Sequence, residues 1–225
     1  MKMKKISWKI QIKNTYMHLL VILVLSFLSF PFIPQSLVGP QIPIFSLLFL
    51  VGIIFTLRTL KLSKRVFLTV LTIGLIWYLC ELMLCLVVRD ESRTNFNVLT
   101  SAIYAVFLLV AIVLMIYKMF SATEVTGDTI MGGISVYLLL GLLWAILYNI
   151  IYMLDPVAFH LSDHTGRTSL FYFSFITLTT VGFGDIYPIN KFAMSLVTLE
   201  VVTGQMYLAI FISRLVGLHI VHKNR

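Results

Sequence analysis

The sequence predicts an all-α membrane protein with six transmembrane helices, one re-entrant helix and a glycine-bearing loop. Three observations carry this. First, 60% of the 225 residues are hydrophobic and only 12% are charged, whereas a soluble domain is about half apolar and about a quarter charged. Second, several apolar runs approach or exceed the roughly 20 residues that cross a bilayer. Third, a Ser/Thr- and aromatic-rich stretch followed by two alternate glycines, Gly182 and Gly184, separates the last two runs. A non-helical loop at membrane depth is tolerated only where protein buries it or it lines a water-filled path.

In chain order, residues 1–17 hold five lysines and read as a cytoplasmic basic arm lying on anionic headgroups. The first span, 18–38, has Pro31 and Pro34 in its far half. A basic start before an apolar core also fits a signal peptide, but Ser36-Leu37-Val38 is a poor cleavage site and the stretch is long. The second span is 42–57 and the third 66–88, joined by a loop with four positive charges and no negative one. The fourth, 96–117, carries no charge, and the polar connector 121–133 follows it. The fifth, 134–154, is ended by Asp155-Pro156, because proline disfavours helix in the residue before it. The sixth is 191–218. The domains expected are therefore the arm, a four-helix membrane domain (18–120), the cytoplasmic linker (121–133), a pore domain (134–218) and a short cytoplasmic tail (219–225).

Charge fixes the orientation. With the amino terminus inside, thirteen of the seventeen Lys and Arg fall on the inner side and four outside. That asymmetry favours six spans with both termini cytoplasmic. It also accounts for the net charge of +8 without nucleic acid. The loop 155–190 is then outside. A helix starting near Thr168 or Ser169 dips into the membrane as far as Thr179 and returns through the glycines.

The returning stretch is Thr179-Thr180-Val181-Gly182-Phe183-Gly184-Asp185. A dehydrated monovalent cation needs rings of oxygen in place of its water, and four copies of a short backbone loop supply them if successive carbonyls face one axis. Such a loop alternates ordinary and left-handed dihedrals, and glycine enters the left-handed region without cost. Gly182 and Gly184 meet that demand.

Thr180-Val181-Gly182-Phe183-Gly184-Asp185 resembles the filter signature of the potassium-channel superfamily. Glu124-Val125-Thr126-Gly127-Asp128, Tyr137-Leu138-Leu139-Leu140-Gly141, Gly204-Gln205-Met206-Tyr207-Leu208-Ala209 and Arg214-Leu215-Val216-Gly217 look like prokaryotic members of the two-helix ion-channel family. The resemblance spans about residues 121–219. It implies that the carbonyls of Thr180, Val181, Gly182 and Phe183, with the Thr180 hydroxyl, coordinate K+ as the permeant ion. Gly184, Asp185, Thr179, Tyr172 and Phe173 then support the filter, Asp185 by bonding to the pore helix and the two aromatics as a brace. It implies a homotetramer, with four pore helices aiming their carboxyl ends at a central cavity. Phe183 departs from the commoner tyrosine and lacks its hydroxyl, so a weaker outer brace is expected unless Tyr172 compensates. Gly204 stands where the family often has a gating hinge; close helix packing is the alternative.

Other residues carry smaller expectations. Glu200, a carboxylate within a span, is expected to support the filter by meeting Ser174 or Thr177; a carboxyl simply hydrogen-bonded and protonated there is the alternative. Glu81 is expected to pair with Arg89 or Arg93. Cys80 and Cys85 are five apart in one span, so they face different ways and stay unpaired. His160 and His164 read as a solvated loop, with metal binding on a shared helix face as the sharper alternative. His219 and His222 read as interfacial. Voltage sensing needs positive residues spaced along a span, and the fourth span has none. Few residues follow the sixth span, so gating is expected from the membrane part, lipid, pH or a separate regulatory subunit.

The function expected is passive K+ conduction across a bacterial or archaeal inner membrane, with no reaction catalysed, no organic cofactor, and membrane lipids as partners. The rivals are a non-selective cation channel of the same fold and a non-conducting membrane sensor or accessory subunit.

Overall fold

A computed structural model describes residues 15–29, 92–121, 125–161 and 169–223, with a few positions between 68 and 79. The basic arm, the second span, most of the third with Glu81, Cys80 and Cys85, and His164 lie outside the described residues.

The described chain is mostly helical: α1 (Thr15–Ser29), α2 (Ser92–Phe120), α3 (Gly127–Leu154), α4 (Ser169–Leu178) and α5 (Lys191–Lys223). Within α2, α3 and α5, the segments Thr94–Phe120, Gly127–Leu154 and Lys191–Ile220 are long and apolar enough to cross a membrane. Two short strands, β1 (Phe159–His160) and β2 (Tyr187–Pro188), pair antiparallel with Phe159 opposite Pro188 and His160 opposite Tyr187. The sequence reading had no strand here. The ribbon joins the chain before α4 to the chain after it.

α3 is the helix around which the others pack; α1, α2, α4 and α5 all touch it. It begins at Gly127, about two turns before the expected start of the fifth span, so the second half of the expected connector is helical. The reason is local. Thr126 is an extended N-cap whose hydroxyl accepts from the Thr129 amide at 3.2 Å, and Asp128 sits in the first turn, where the helix dipole favours a negative charge. The Asp128 carboxylate also accepts from the Tyr16 amide at 2.9 Å, which satisfies an orphan donor at the start of α1. α1 is thus keyed to α3, with Leu19 and Leu23 buried. Its Phe27 ring lies 4.5 Å from that of Phe175 and 4.9 Å from that of Phe171 on α4.

α2 buries a stripe at helical spacing: Ala105, Leu108, Ile112, Met115 and Met119. Its opposite face leaves Val106, Val110 and Val113 exposed, a surface suited to lipid or to other apolar helices. Toward the carboxyl end of α5, Arg214 donates to the Phe120 carbonyl at the close of α2, and its guanidinium carbon stands 5.0 Å from the Phe120 ring centre. A cation near the last carbonyls of a helix is well placed for the dipole.

The carboxyl end of α3 is also fastened to the amino end of α5. Asp155 caps α3, its amide donating to Ile151 O at 2.7 Å. Its carboxylate accepts from the Asn190 side-chain amide at 2.8 Å, and Asn190 in turn caps α5 by accepting from the Ala193 amide at 2.7 Å.

Candidate functional site

The site grows from the carboxyl end of α4. The last four carbonyls of a helix lack intrahelical partners. Here all four are taken, three of them by the loop turning back. Phe175 O accepts from the Thr179 amide at 3.1 Å and the Thr179 hydroxyl at 2.6 Å. Ile176 O accepts from the amides of Val181 at 2.8 Å and Gly182 at 3.1 Å, and Thr177 O from Thr180 at 2.9 Å. Leu178 O accepts from the Tyr137 hydroxyl of α3 at 3.1 Å. The loop is therefore anchored to the end of α4 at each step.

Beyond that anchor the backbone alternates. Thr180 has φ +62°, Gly182 +52° and Gly184 +80°, and no other described residue has φ in the left-handed region. The glycines adopt it freely. Thr180 does not: a β-branched residue there is a true outlier, costing on the order of 1–3 kcal/mol and persisting only where the surroundings over-determine it. The sequence argument demanded alternation but looked only to glycine, so the left-handed threonine went unforeseen.

Residues 179–185 are all exposed in the single chain. Val181 and Phe183 are 54% and 70% exposed, large apolar surface for residues held by a rigid loop. A Cβ on Gly182 or Gly184 would meet nothing within 4 Å, so in this chain the demand for glycine comes from φ and not from crowding.

The supporting residues divide. Tyr172 of α4 stands within electrostatic reach of the Asp185 carboxylate at the far end of the loop. Phe173 points the other way, buried between Tyr148 of α3 (ring centres 5.3 Å apart) and Phe159 of β1 (5.8 Å). The two neighbours thus serve different surfaces, as residues one apart on a helix must.

Glu200 of α5 is fully buried behind the loop. Of the two hydroxyls expected to meet it, Ser174 does. Ser174 Oγ lies 2.5 Å from Glu200 Oε1 and 2.8 Å from Gly141 O, while the Tyr148 hydroxyl donates to Glu200 Oε2 at 2.5 Å. One carboxyl group thereby joins α3, α4 and α5.

Gly204 is buried where α5 crosses the end of α4; a Cβ there would lie 2.7 Å from Leu178 O and 2.8 Å from Leu178 Cδ1. Glycine is required at this crossing by close approach, and α5 runs through it as unbroken helix. Gly133 and Gly141 admit the rings of Phe211 and Phe175 in the same way.

The sequence reading gives the tyrosines of α3 and α5 no role of their own. Tyr137 holds Leu178 O, Tyr148 holds Glu200, and Tyr207 donates to Gly133 O at 2.8 Å. The available signal was chemical: a phenol within an apolar span must find an acceptor. His160 sits in β1 and stacks on Tyr187 at 4.7 Å. His160 is thus not in a helix, and His164 lies outside the described residues. No cluster of three metal-ligating side chains occurs among the described residues.

A family model described as an ion channel matches residues 134–218, from the third turn of α3 through α4 and the glycine loop to near the end of α5. The match covers the whole of the site just described and under half of the chain. No curated protein and no solved structure matches the chain.

Proposed function

We propose that this chain is the subunit of a potassium-selective channel. Four copies surround an axis, and the carbonyls of Thr180, Val181, Gly182 and Phe183 replace the hydration shell of a passing K+. The observation that carries the reading is the left-handed φ at Thr180, Gly182 and Gly184, an alternation that serves no purpose in an ordinary helix-to-helix turn. The match of residues 134–218 to an ion-channel family supports it. So does the exposure of the loop in the single chain, since strained backbone with apolar side chains at membrane depth requires neighbours.

On this reading the protein is a multi-pass inner-membrane protein of six spans with both termini cytoplasmic, and it catalyses no reaction. Its fourth span, α2, carries Lys118 alone within the segment Thr94–Phe120. A field acting on one residue near the membrane edge cannot supply steep voltage dependence, so the gating stimulus is a different one. Tyr172 takes over at Asp185 the bracing that Phe183 cannot offer.

The test is K+ flux from purified protein in liposomes. Flux is expected in the wild type and lost in Gly182→Ala, because an L-residue forced to φ +52° costs about 1–2 kcal/mol in every subunit. Flux unaltered by that change overturns the pore assignment. Reversal potentials in mixed K+ and Na+ are expected near the K+ limit; a permeability ratio near one replaces the selective channel by a non-selective one of the same fold.

A further inference from the structure

We infer that Glu200 is held as a neutral carboxylic acid whose proton is donated to Ser174, and that this donated hydrogen bond positions the helix carrying the glycine loop. The role given to α4 rests on the proposed pore; the protonation does not.

The argument is a count of hydrogens. Three short oxygen–oxygen contacts meet at this point: Tyr148 to Glu200 Oε2, Ser174 to Glu200 Oε1, and Ser174 to Gly141 O. Each needs one hydrogen between its oxygens. The Tyr148 phenol supplies the first. Gly141 O is a carbonyl and only accepts, so the single Ser174 hydrogen goes to it. The contact between Ser174 Oγ and Glu200 Oε1 is then left without a hydrogen unless the carboxyl brings its own. An ionised Glu200 would leave either that pair or the Ser174–Gly141 pair as facing lone pairs, at 2.5 Å or 2.8 Å. The surroundings agree. The side chain is fully buried within an apolar span, and hydroxyls take both its oxygens. An ionised carboxylate in such a place is costly without a cation beside it.

The geometry shows what the proton does. Gly141 and Tyr148 are two turns apart on one face of α3, and Ser174 lies one turn before Leu178, where α4 hands the chain to the loop. With the acid as donor, Ser174 is fixed from both sides, by α5 through its oxygen and by α3 through its hydrogen. α4 then cannot slide along or rotate against its neighbours without breaking a buried hydrogen bond. Glu200 is thus a positioning residue, acting on the loop through α4.

Three variants and three readouts test this. Glu200→Gln keeps the pattern, because its amide donates to Ser174 while its carbonyl accepts from Tyr148. Glu200→Leu removes both. The infrared difference between wild type and Glu200→Gln at neutral pH should show the carbonyl stretch of a protonated carboxylic acid, and Ser174→Ala should shift that band. Hydrogen exchange of the α4 amides should be near wild type in Glu200→Gln and at least about ten-fold faster in Glu200→Leu, as expected for stranded buried hydroxyls. K+ flux should follow the same order.

An ionised-carboxylate band in place of the acid band overturns the proposal, as does a Glu200→Gln protein whose α4 exchanges like Glu200→Leu. If Glu200→Leu fails to assemble, Ser174→Ala provides the exchange comparison, and α4 protection equal to wild type there overturns the positioning role. Absence of K+ flux in every form, wild type included, counts against the channel alone, since the band and the exchange still decide the state and effect of Glu200.

Discussion

At the scale of single residues, the site is built from hydroxyls that each satisfy one acceptor. Tyr137 is the simplest case. Its phenol spans from α3 to the last carbonyl of α4, and nothing else among the hydrogen bonds described takes that oxygen. Tyr137→Phe keeps the ring, including its stacking on Tyr207 at 6.0 Å between ring centres, and strands Leu178 O. The expected cost is about 1–3 kcal/mol per subunit, the penalty for an unsatisfied buried acceptor. A lower thermal midpoint of the detergent-solubilised protein, with no change in helix content by circular dichroism, is the outcome that checks it. Thr180 is the counterpart on the loop. Its left-handed backbone stores strain that the contacts at the end of α4 hold in place, which is why the anchoring bonds matter to the loop and not only to the helix.

Among the elements, α3 decides the arrangement. It is started by Thr126, ended by Asp155, keyed to α1 through Asp128, and notched at Gly133 and Gly141 to admit rings from α5 and α4. Thr126→Ala removes the cap and should destabilise the protein by about 1 kcal/mol. Thermal unfolding followed by helix signal should shift down, while Thr126→Ser should remain close to wild type; equal loss in both variants would contradict the capping role. Helix limits were legible only in part. The stop at Asp155-Pro156 could be read from proline chemistry, and α4 was placed to within a residue by its position before the glycines. The start of α3 was misplaced because residues 127–133 look polar and glycine-rich, whereas the cap and the cover given by Tyr16, Met119 and Phe211 make them helical. The β1–β2 ribbon left no trace in the sequence: two residues on each side carry no period, and their pairing depends on α4 bringing distant segments together.

For the whole molecule, orientation is the testable matter. On the proposed topology, which rests on the charge asymmetry, the β1–β2 ribbon is outside and the end of α5 inside. A His160→Cys protein with its native cysteines replaced should react with a membrane-impermeant thiol reagent on intact cells, and a Lys223→Cys protein only after permeabilisation. The reverse pattern would invert the topology and place the glycine loop at the wrong face. Mass measurement of the solubilised particle should give four copies, since one loop per chain closes a ring only by repetition.

From the amino-acid order alone come the apolar spans, the two glycine positions, the short helix before them and the choice of Glu200 as a carboxylate of interest. Each follows from local chemistry: apolar length, the φ that glycine permits, and the cost of a carboxylate in a bilayer. Tertiary structure alone decided which groups meet. It selected Ser174 over Thr177 for Glu200, sent Tyr172 to Asp185 and Phe173 into the core, made Gly204 a point of contact with Leu178, and forced Thr180 into the left-handed region. These are properties of how helix faces are turned toward one another, and a face is fixed only when every neighbour is in place.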